Sequence, residues 1–406
     1  MSVDKNNVEF PDYMDIQFFE TAMKNGLNDK STKVENVKFT QGHKPGENYC
    51  SVIYRADVTY STSTTASTKV SLIIKTQVLD DEYKTADFFG KETDMYTLAL
   101  PQIESMLGNI HIAPKMYYSA RTPNDVVVFH DMTPEGYLLA DRVKGLDEKH
   151  CAMVLEKLAK LHAASIELAR ADPKVKTIFE IGMINNESRK FVETLLFHNI
   201  SDLEKLVATW PGFESIAVKL LSMRNNIFEI FLEANEPKKG ELSVLTHNDL
   251  WTNNILFKYN GDEPVDVLLI DYQASFYCSP GIDITHFLYT TPYFHLLENK
   301  REYMIEEYYY KPFKATLEKV GYLPIPTLED IYQEIENREM SGFLWACAKL
   351  YLICMDKKDC EENSNSIDAL GHPEIGGQIR AKGMSSERYQ ATMKYMLKRM
   401  DKLGKL

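Results

Sequence analysis

The sequence predicts an α+β protein of two lobes, a small antiparallel β lobe with one main helix followed by a larger, mostly helical lobe. Three observations predict it. Short β-branched and aromatic runs separated by turn residues recur between residues 34 and 130. From Leu146 onward the composition shifts to Ala- and Leu-rich stretches of helical period. Between them, Thr133-Pro134-Glu135-Gly136 reads as a hinge, which sets the lobes at 1–132 and 133–406. A chain of 406 residues is long enough for two such bodies.

Taken in order, residues 12–28 have the spacing of a short amphipathic helix. Val34–Gly42 and Asn48–Tyr60 read as strands joined by a turn at Lys44-Pro45-Gly46. The polar tract Ser61–Thr68 reads as a hairpin loop, and VSLIIKT (Val70–Thr76) as the third strand. Phe88–Leu100 is expected to be a helix stopped by Pro101, which lacks an amide donor. Met116–Ala120 and Asp125–His130 add two strands. Leu146–Leu168 is a helix, with Val154, Leu155, Leu158, Leu161 and Ser165 near one face. Val265–Ile270, apolar and partly β-branched, reads as a buried strand. Asn363–Gly377, with Gly371, Pro373, Gly376 and Gly377, is expected to be a loop. The last helix, about Ser386–Leu403, lines up Tyr389, Met393, Met396, Leu397 and Met400, a face expected to dock on its own domain rather than on a membrane.

Composition excludes several functions. The net charge is −13 and no extended basic patch occurs, so nucleic acid is not an expected partner. No apolar run approaches the ~18 residues of a membrane span, so no integral membrane association is expected. MSVDKNNVEFPDYMD has no apolar signal core, which points to the cytoplasm. The six cysteines show no CxxC, so free thiols are the simplest account. Met340, Phe343, Leu344, Cys347, Tyr351 and Cys354 follow helical spacing and read as a core stripe.

The chemistry concentrates in THNDLWTNNILFKYNGDEPVDVLLIDYQ, Thr246 to Gln273. His247-x-Asp249 followed by Asn254, then an apolar run ending in Asp271, has the spacing of a phosphoryl-transfer catalytic loop. Such a reaction needs an acceptor near the incoming hydroxyl, here Asp249, and oxygen ligands for Mg²⁺, here Asn254 and Asp271. It also needs a cation for the ATP phosphates and a carboxylate to position that cation. Lys75, ending the third strand, and Glu92 on the next helix fit those needs. The segment Gln41–Ser51 would cover the phosphates, with Gly42 and Gly46 allowing close backbone approach and Asn48 and Ser51 beside them. Phe129–Met132, joining the lobes, would offer backbone groups to adenine.

These blocks together resemble the ecdysteroid kinase-like family, also called the CHK kinase-like domain family. They are GENYCSVIYR (Gly46–Arg55), Lys75, ETDMYTLALP (Glu92–Pro101), LAKLHAAS (Leu158–Ser165), HNDLWTNNILF (His247–Phe257), IDYQ (Ile270–Gln273) and YCSPGIDITHFLY (Tyr277–Tyr289). The resemblance implies a protein-kinase-like bilobal fold similar to choline kinases and aminoglycoside phosphotransferases. It implies ATP- and Mg²⁺-dependent phosphorylation of a small-molecule hydroxyl. By it, Asp249 orients or accepts the hydroxyl proton, Asn254 and Asp271 bind Mg²⁺, Lys75 held by Glu92 contacts phosphate, His247 buttresses the loop, and Asp283 supports it. Departures from protein kinases are Asp271-Tyr272-Gln273 in place of Asp-Phe-Gly, Asn248 in place of Arg, and Trp251 in place of Lys. They argue against a peptide-docking kinase and leave small-molecule transfer intact. The family-implied acceptor is a lipophilic alcohol, an ecdysteroid-like steroid first and a xenobiotic or phenolic alcohol second. A catalytically silent hormone- or xenobiotic-binding relative is the alternative of a different class. Trp251, Tyr272, Tyr289 and Trp345 are candidates to line the acceptor pocket, with Trp345 expected in the core. The oligomeric state is left open.

Overall fold

A computed structural model describes residues 2–4, 10–41, 51–77, 87–356 and 367–406. Gly42, Gly46 and Asn48 of the expected phosphate loop lie outside the described residues, as does the Lys44–Gly46 turn.

The first lobe is a six-stranded sheet of β1 (Ser2–Asp4), β2 (Lys33–Gln41), β3 (Ser51–Ser61), β4 (Thr68–Gln77), β5 (Met116–Ala120) and β6 (Val126–His130). Their order is β1-β2-β3-β4-β6-β5, antiparallel except for the β1–β2 pair. Helix Ile16–Leu27 covers one face, where Phe19, Ala22 and Met23 pack with Val37, Phe39, Ala56, Val58, Leu72 and Ile74. Strand alternation then decides where the chemistry goes. With Leu72 and Ile74 pointing under that helix, Ile73 and Lys75 face the opposite side.

That opposite side meets a helical stretch over 88–106. It begins as Phe88–Asp94, widens to a π-turn at Met95–Ala99, and continues as Leu100–Met106. Pro101 therefore does not stop the helix, contrary to the sequence expectation. It falls in the first turn after the widened segment, where a missing amide donor costs little.

The remainder is mainly helical around the long helix Glu148–Ala171, whose Val154, Leu155, Leu158, Leu161 and Ser165 are all fully buried. Helices Gly281–Thr290 and Glu339–Ile353 pack against each other beside it. Two small sheets interrupt the helices. One is β10 (Glu263–Leu269), β9 (Ile255–Asn260) and β7 (Tyr137–Leu139), and the other pairs β8 (Val244–Thr246) with β11 (Phe276–Cys278). The sheet lobe, the helical majority and the cleft between them make this a protein-kinase-like α+β fold.

From Ile367 on, the expected loop 363–377 is helical, as Ile367–Gly371 and Pro373–Met384. Gly371 and Gly376 are packing residues, because a Cβ would lie 2.3 Å from the Thr194 methyl at the first and 2.2 Å from the Leu370 carbonyl oxygen at the second. His372 caps the second helix by accepting the Glu374 and Ile375 amides, and Pro373 suits its first turn. Tyr389, Met393, Met396, Leu397 and Met400 of the terminal helix Glu387–Lys402 are buried on the protein's own core. Cys151, Cys278, Cys347 and Cys354 are buried free thiols. Among the described residues no helix is long and apolar enough to cross a membrane.

Candidate active site

The catalytic-loop segment connects β8 to β9 through a 3₁₀ turn at Thr252–Asn254. β10 runs back along β9 in a register that pairs Leu269 with Ile255. The next amide, Ile270 N–H, donates to the Asn254 carbonyl at 3.0 Å, so Asp271 arrives beside the loop. Two non-glycine residues here adopt left-handed backbone, Asn248 at φ 59° and Asp271 at φ 68°. Asn and Asp tolerate that region better than other side chains, but the conformation still needs external support.

Asp283 supplies it. Its side chain is fully buried and accepts the amides of His247 (2.6 Å) and Asn248 (2.7 Å) and lies 2.9 Å from His162 Nε2. The carboxylate can only accept, so His162 Nε2 donates to it, and His162 Nδ1 lies 2.9 Å from the Tyr309 hydroxyl. Burial opposes ionisation of Asp283, but the His162 hydrogen bond and charge, with the two amides, outweigh it and hold the carboxyl below its usual range. Asp283 sits inside helix Gly281–Thr290 and does not serve as its N-cap.

His247 is fully committed to the loop. Its Nε2 donates to the Ile270 carbonyl at 2.9 Å, and its Nδ1 accepts the Asp249 amide at 3.3 Å. Its ring stacks at a tilt on Tyr272, 4.7 Å between centroids. Tyr272 in turn meets Tyr96, and Tyr96 meets Phe129, so one aromatic series links the loop to the interlobe strand. Both nitrogens being engaged, His247 has no free site for proton transfer.

Lys75 joins the lobes. Its Nζ lies 2.7 Å from Glu92 Oε2 and 2.6 Å from Asp271 Oδ1, with all three groups largely shielded from solvent. Burial works against the ammonium, but the two carboxylates outweigh it and raise Lys75 above its usual range. Burial pushes the Glu92 carboxyl up, and Lys75 opposes that. Two carboxylates share one cation, which leaves negative charge at the point where a metal ion would sit.

Asp249 is engaged on both oxygens. Asn254 Nδ2 donates to its Oδ2 at 3.1 Å and to its backbone carbonyl at 2.8 Å. Lys349 donates to Oδ1. With its amide nitrogen turned to Asp249, Asn254 has its Oδ1 without a protein partner among the described residues, and Asp271 Oδ2 is likewise open. A carboxylate and an amide oxygen flanking the paired strands β9 and β10 are the hard oxygen donors Mg²⁺ prefers, so the residues fit that ion.

These groups line one cleft between the lobes, about 570 Å³ in volume. At one end lie Ile53, Ile73, Lys75, Phe129, Met132 and Leu256; at the other, Met183, Phe191, Leu195, Trp345, Leu352 and Leu370. Trp251 lines the cleft as expected, and Trp345 is both core and cleft wall. Tyr272 and Tyr289 do not reach it. Tyr272 is buried under His247, and Tyr289 is buried against Glu339. Ser51 begins β3 opposite Gln77, and the cleft is lined from that strand by Ile53 and Arg55.

Sequence reasoning missed two polar residues. Lys349 is the lone charge in the apolar run Phe343–Ile353, which was the available signal. Asp131 fixes the chain between the lobes, where it accepts the Thr133 amide (2.9 Å) and the Ser71 hydroxyl (2.9 Å) and pairs with Arg55 (2.7 Å). No signal beyond its place in Phe129–Met132 marked it.

Against known proteins, the sequence model described as the ecdysteroid kinase-like family matches residues 45–322. None of the curated proteins compared matches the chain. Solved structures with a similar course include a putative fructosamine-3-kinase from Haemophilus somnus 129PT, at 11% identity over 89% of this chain and 96% of that one, TM-score 0.37. An aminoglycoside 2'-phosphotransferase-IIIa in its GDP complex aligns at 12% identity over 91% and 99%, TM-score 0.34. The amicoumacin kinase hAmiN, in complex with AMP-PNP, Ca²⁺ and Ami, aligns at 13% over 82% and 86%, TM-score 0.34. These scores are low, and the fold assignment rests on the chain's own topology and the family match.

Proposed function

This chain belongs to the ecdysteroid kinase-like family, and from that premise we propose that it is a phosphotransferase that moves the terminal phosphoryl group of ATP to a hydroxyl of a lipophilic small molecule. The observation that carries the reading is the convergence of Lys75, Glu92, Asp271, Asp249 and Asn254 on one cleft, from segments up to 196 positions apart. Lys75, positioned by Glu92, binds the ATP phosphates, and the cleft from Phe129 to Met132 receives the adenine. Asn254 and Asp271 hold Mg²⁺, which when bound neutralises charge on the phosphates. Asp249 orients the acceptor hydroxyl and takes its proton as the oxygen attacks phosphorus and ADP leaves. His247 and Asp283 keep Asp249 in place.

A steroid alcohol of the ecdysteroid kind is the first choice of acceptor, since the far wall of the cleft is apolar. A xenobiotic or phenolic alcohol is the second. The proposed lobes are residues 1–132 for ATP and 133–406 for catalysis and substrate, and the proposed location is the cytoplasm. The test is ATP consumption by the purified chain with Mg²⁺ against steroid, phenolic, choline and aminoglycoside acceptors, with products read by mass and Asp249→Asn as the control. A phosphorylated product that the variant does not make supports the reading. Stabilisation by steroid with no response to Mg-ATP would replace it with a silent binding protein.

A further inference from the structure

Lys349 lies on helix Glu339–Ile353 with its ammonium donating to Asp249 Oδ1. The same ammonium stands over the indole of Trp345, 4.6 Å from the ring centroid. A carboxylate and an aromatic face are the two elements by which a protein recognises an ammonium ligand. In this cleft both are taken by the protein's own side chain.

The surroundings reinforce the point. Among the described residues, the cleft lining contributed by the helical lobe near Lys349 includes the apolar Met183, Phe191, Leu195 and Leu352, the last one turn along the same helix. The other carboxylates lining the cleft, Glu92, Asp131 and Asp271, are bound to Lys75 or Arg55 toward the nucleotide end. Among the described residues lining the cleft, a cationic acceptor would find the Asp249 charge already neutralised and no second unpaired acid. Lys349 is tethered, so it competes for the site without losing the translational freedom that a dissolved cation would lose.

We propose that Lys349 is a specificity-determining residue, a built-in ammonium that fills the cation site at Asp249 and Trp345 and so restricts the acceptor to uncharged or anionic alcohols. The inference rests on the phosphotransferase reading for the meaning of "acceptor", but its test does not. Choline and its neutral isostere 3,3-dimethyl-1-butanol have the same shape and differ in charge. Each is titrated into the full chain at fixed ionic strength without ATP. Binding is read by tryptophan fluorescence, since Trp251 and Trp345 line the cleft.

The wild type should bind the neutral alcohol at least about 10-fold more tightly than choline. Lys349→Met should raise choline affinity at least about 10-fold while changing that of the neutral isostere less than about 3-fold. Lys349→Arg, which keeps the cation, should keep the exclusion. Choline affinity unchanged by Lys349→Met, choline binding to the wild type as tightly as its isostere, or no binding of either probe would each overturn the proposal. Failure of the phosphotransferase reading would look different, as intact discrimination between the probes with no Asp249-dependent use of ATP.

Discussion

An Asp283→Asn substitution should destabilise the helical lobe strongly while changing side-chain volume hardly at all. The carboxylate receives three donors in a fully buried position, the His247 and Asn248 amides at 2.6 and 2.7 Å and His162 Nε2 at 2.9 Å. An asparagine offers one carbonyl oxygen and turns an NH₂ toward donors. At least one charge-assisted hydrogen bond is lost, about 1.5–3 kcal/mol, and one buried N–H loses its partner, about 1–3 kcal/mol. The sum is roughly 3–5 kcal/mol, read as a lower urea midpoint at unchanged slope. The left-handed Asn248 is held by the same carboxylate, so transfer should fall along with stability. The pH dependence gives a second readout. The folded carboxyl titrates below its unfolded value, so its stabilising contribution is full above the usual aspartate range, near pH 4, and is lost as the pH falls through the folded value. The variant should lose that share of the acid slope. A stability within about 1 kcal/mol of wild type would refute the reasoning, because it would mean the three contacts contribute almost nothing net.

Other outcomes follow from the same geometry. Lys75→Met removes the cation between Glu92 and Asp271 and should lower kcat/KM for ATP by about 10²–10³-fold, measured by steady-state kinetics. Asp249→Asn should reduce transfer by about 10²–10⁴-fold while Mg-ATP still raises the melting temperature, a split that separates chemistry from binding. Asp271→Ala should abolish the Mg²⁺-dependent part of that thermal shift, read by comparing ATP with and without Mg²⁺. Gly376→Ala places a methyl 2.2 Å from the Leu370 oxygen and should cost about 1–3 kcal/mol in chemical denaturation.

Much of the site was legible because its parts are local in sequence. His247, Asp249 and Asn254 share one loop, and the β9–β10 hairpin that returns Asp271 to it shows as two apolar runs around Asn260-Gly261. Lys75 was legible from its place at the end of an apolar strand ahead of the catalytic loop, and the structure shows Leu72 and Ile74 of that strand facing the other way. The terminal helix was legible because its apolar residues recur at helical spacing and are buried at that spacing.

What the sequence by itself determined was therefore the two-lobed α+β class, the order of its elements and the identity of the polar groups within single segments, all properties of near neighbours in the chain. Tertiary structure alone decided the rest. Pro101 lies within a continuing helical stretch because a π-turn precedes it, and Gly371 and Gly376 serve close packing because Thr194 and Leu370 lie against them. Tyr289, which sequence offered to the acceptor pocket, turns instead to a buried Glu339. Lys349 reaches Asp249 from 100 positions away, and Asp283 reaches the catalytic loop from 36. Such pairings depend on which helix faces which strand, and that is settled by the packing of a common core rather than by any local pattern.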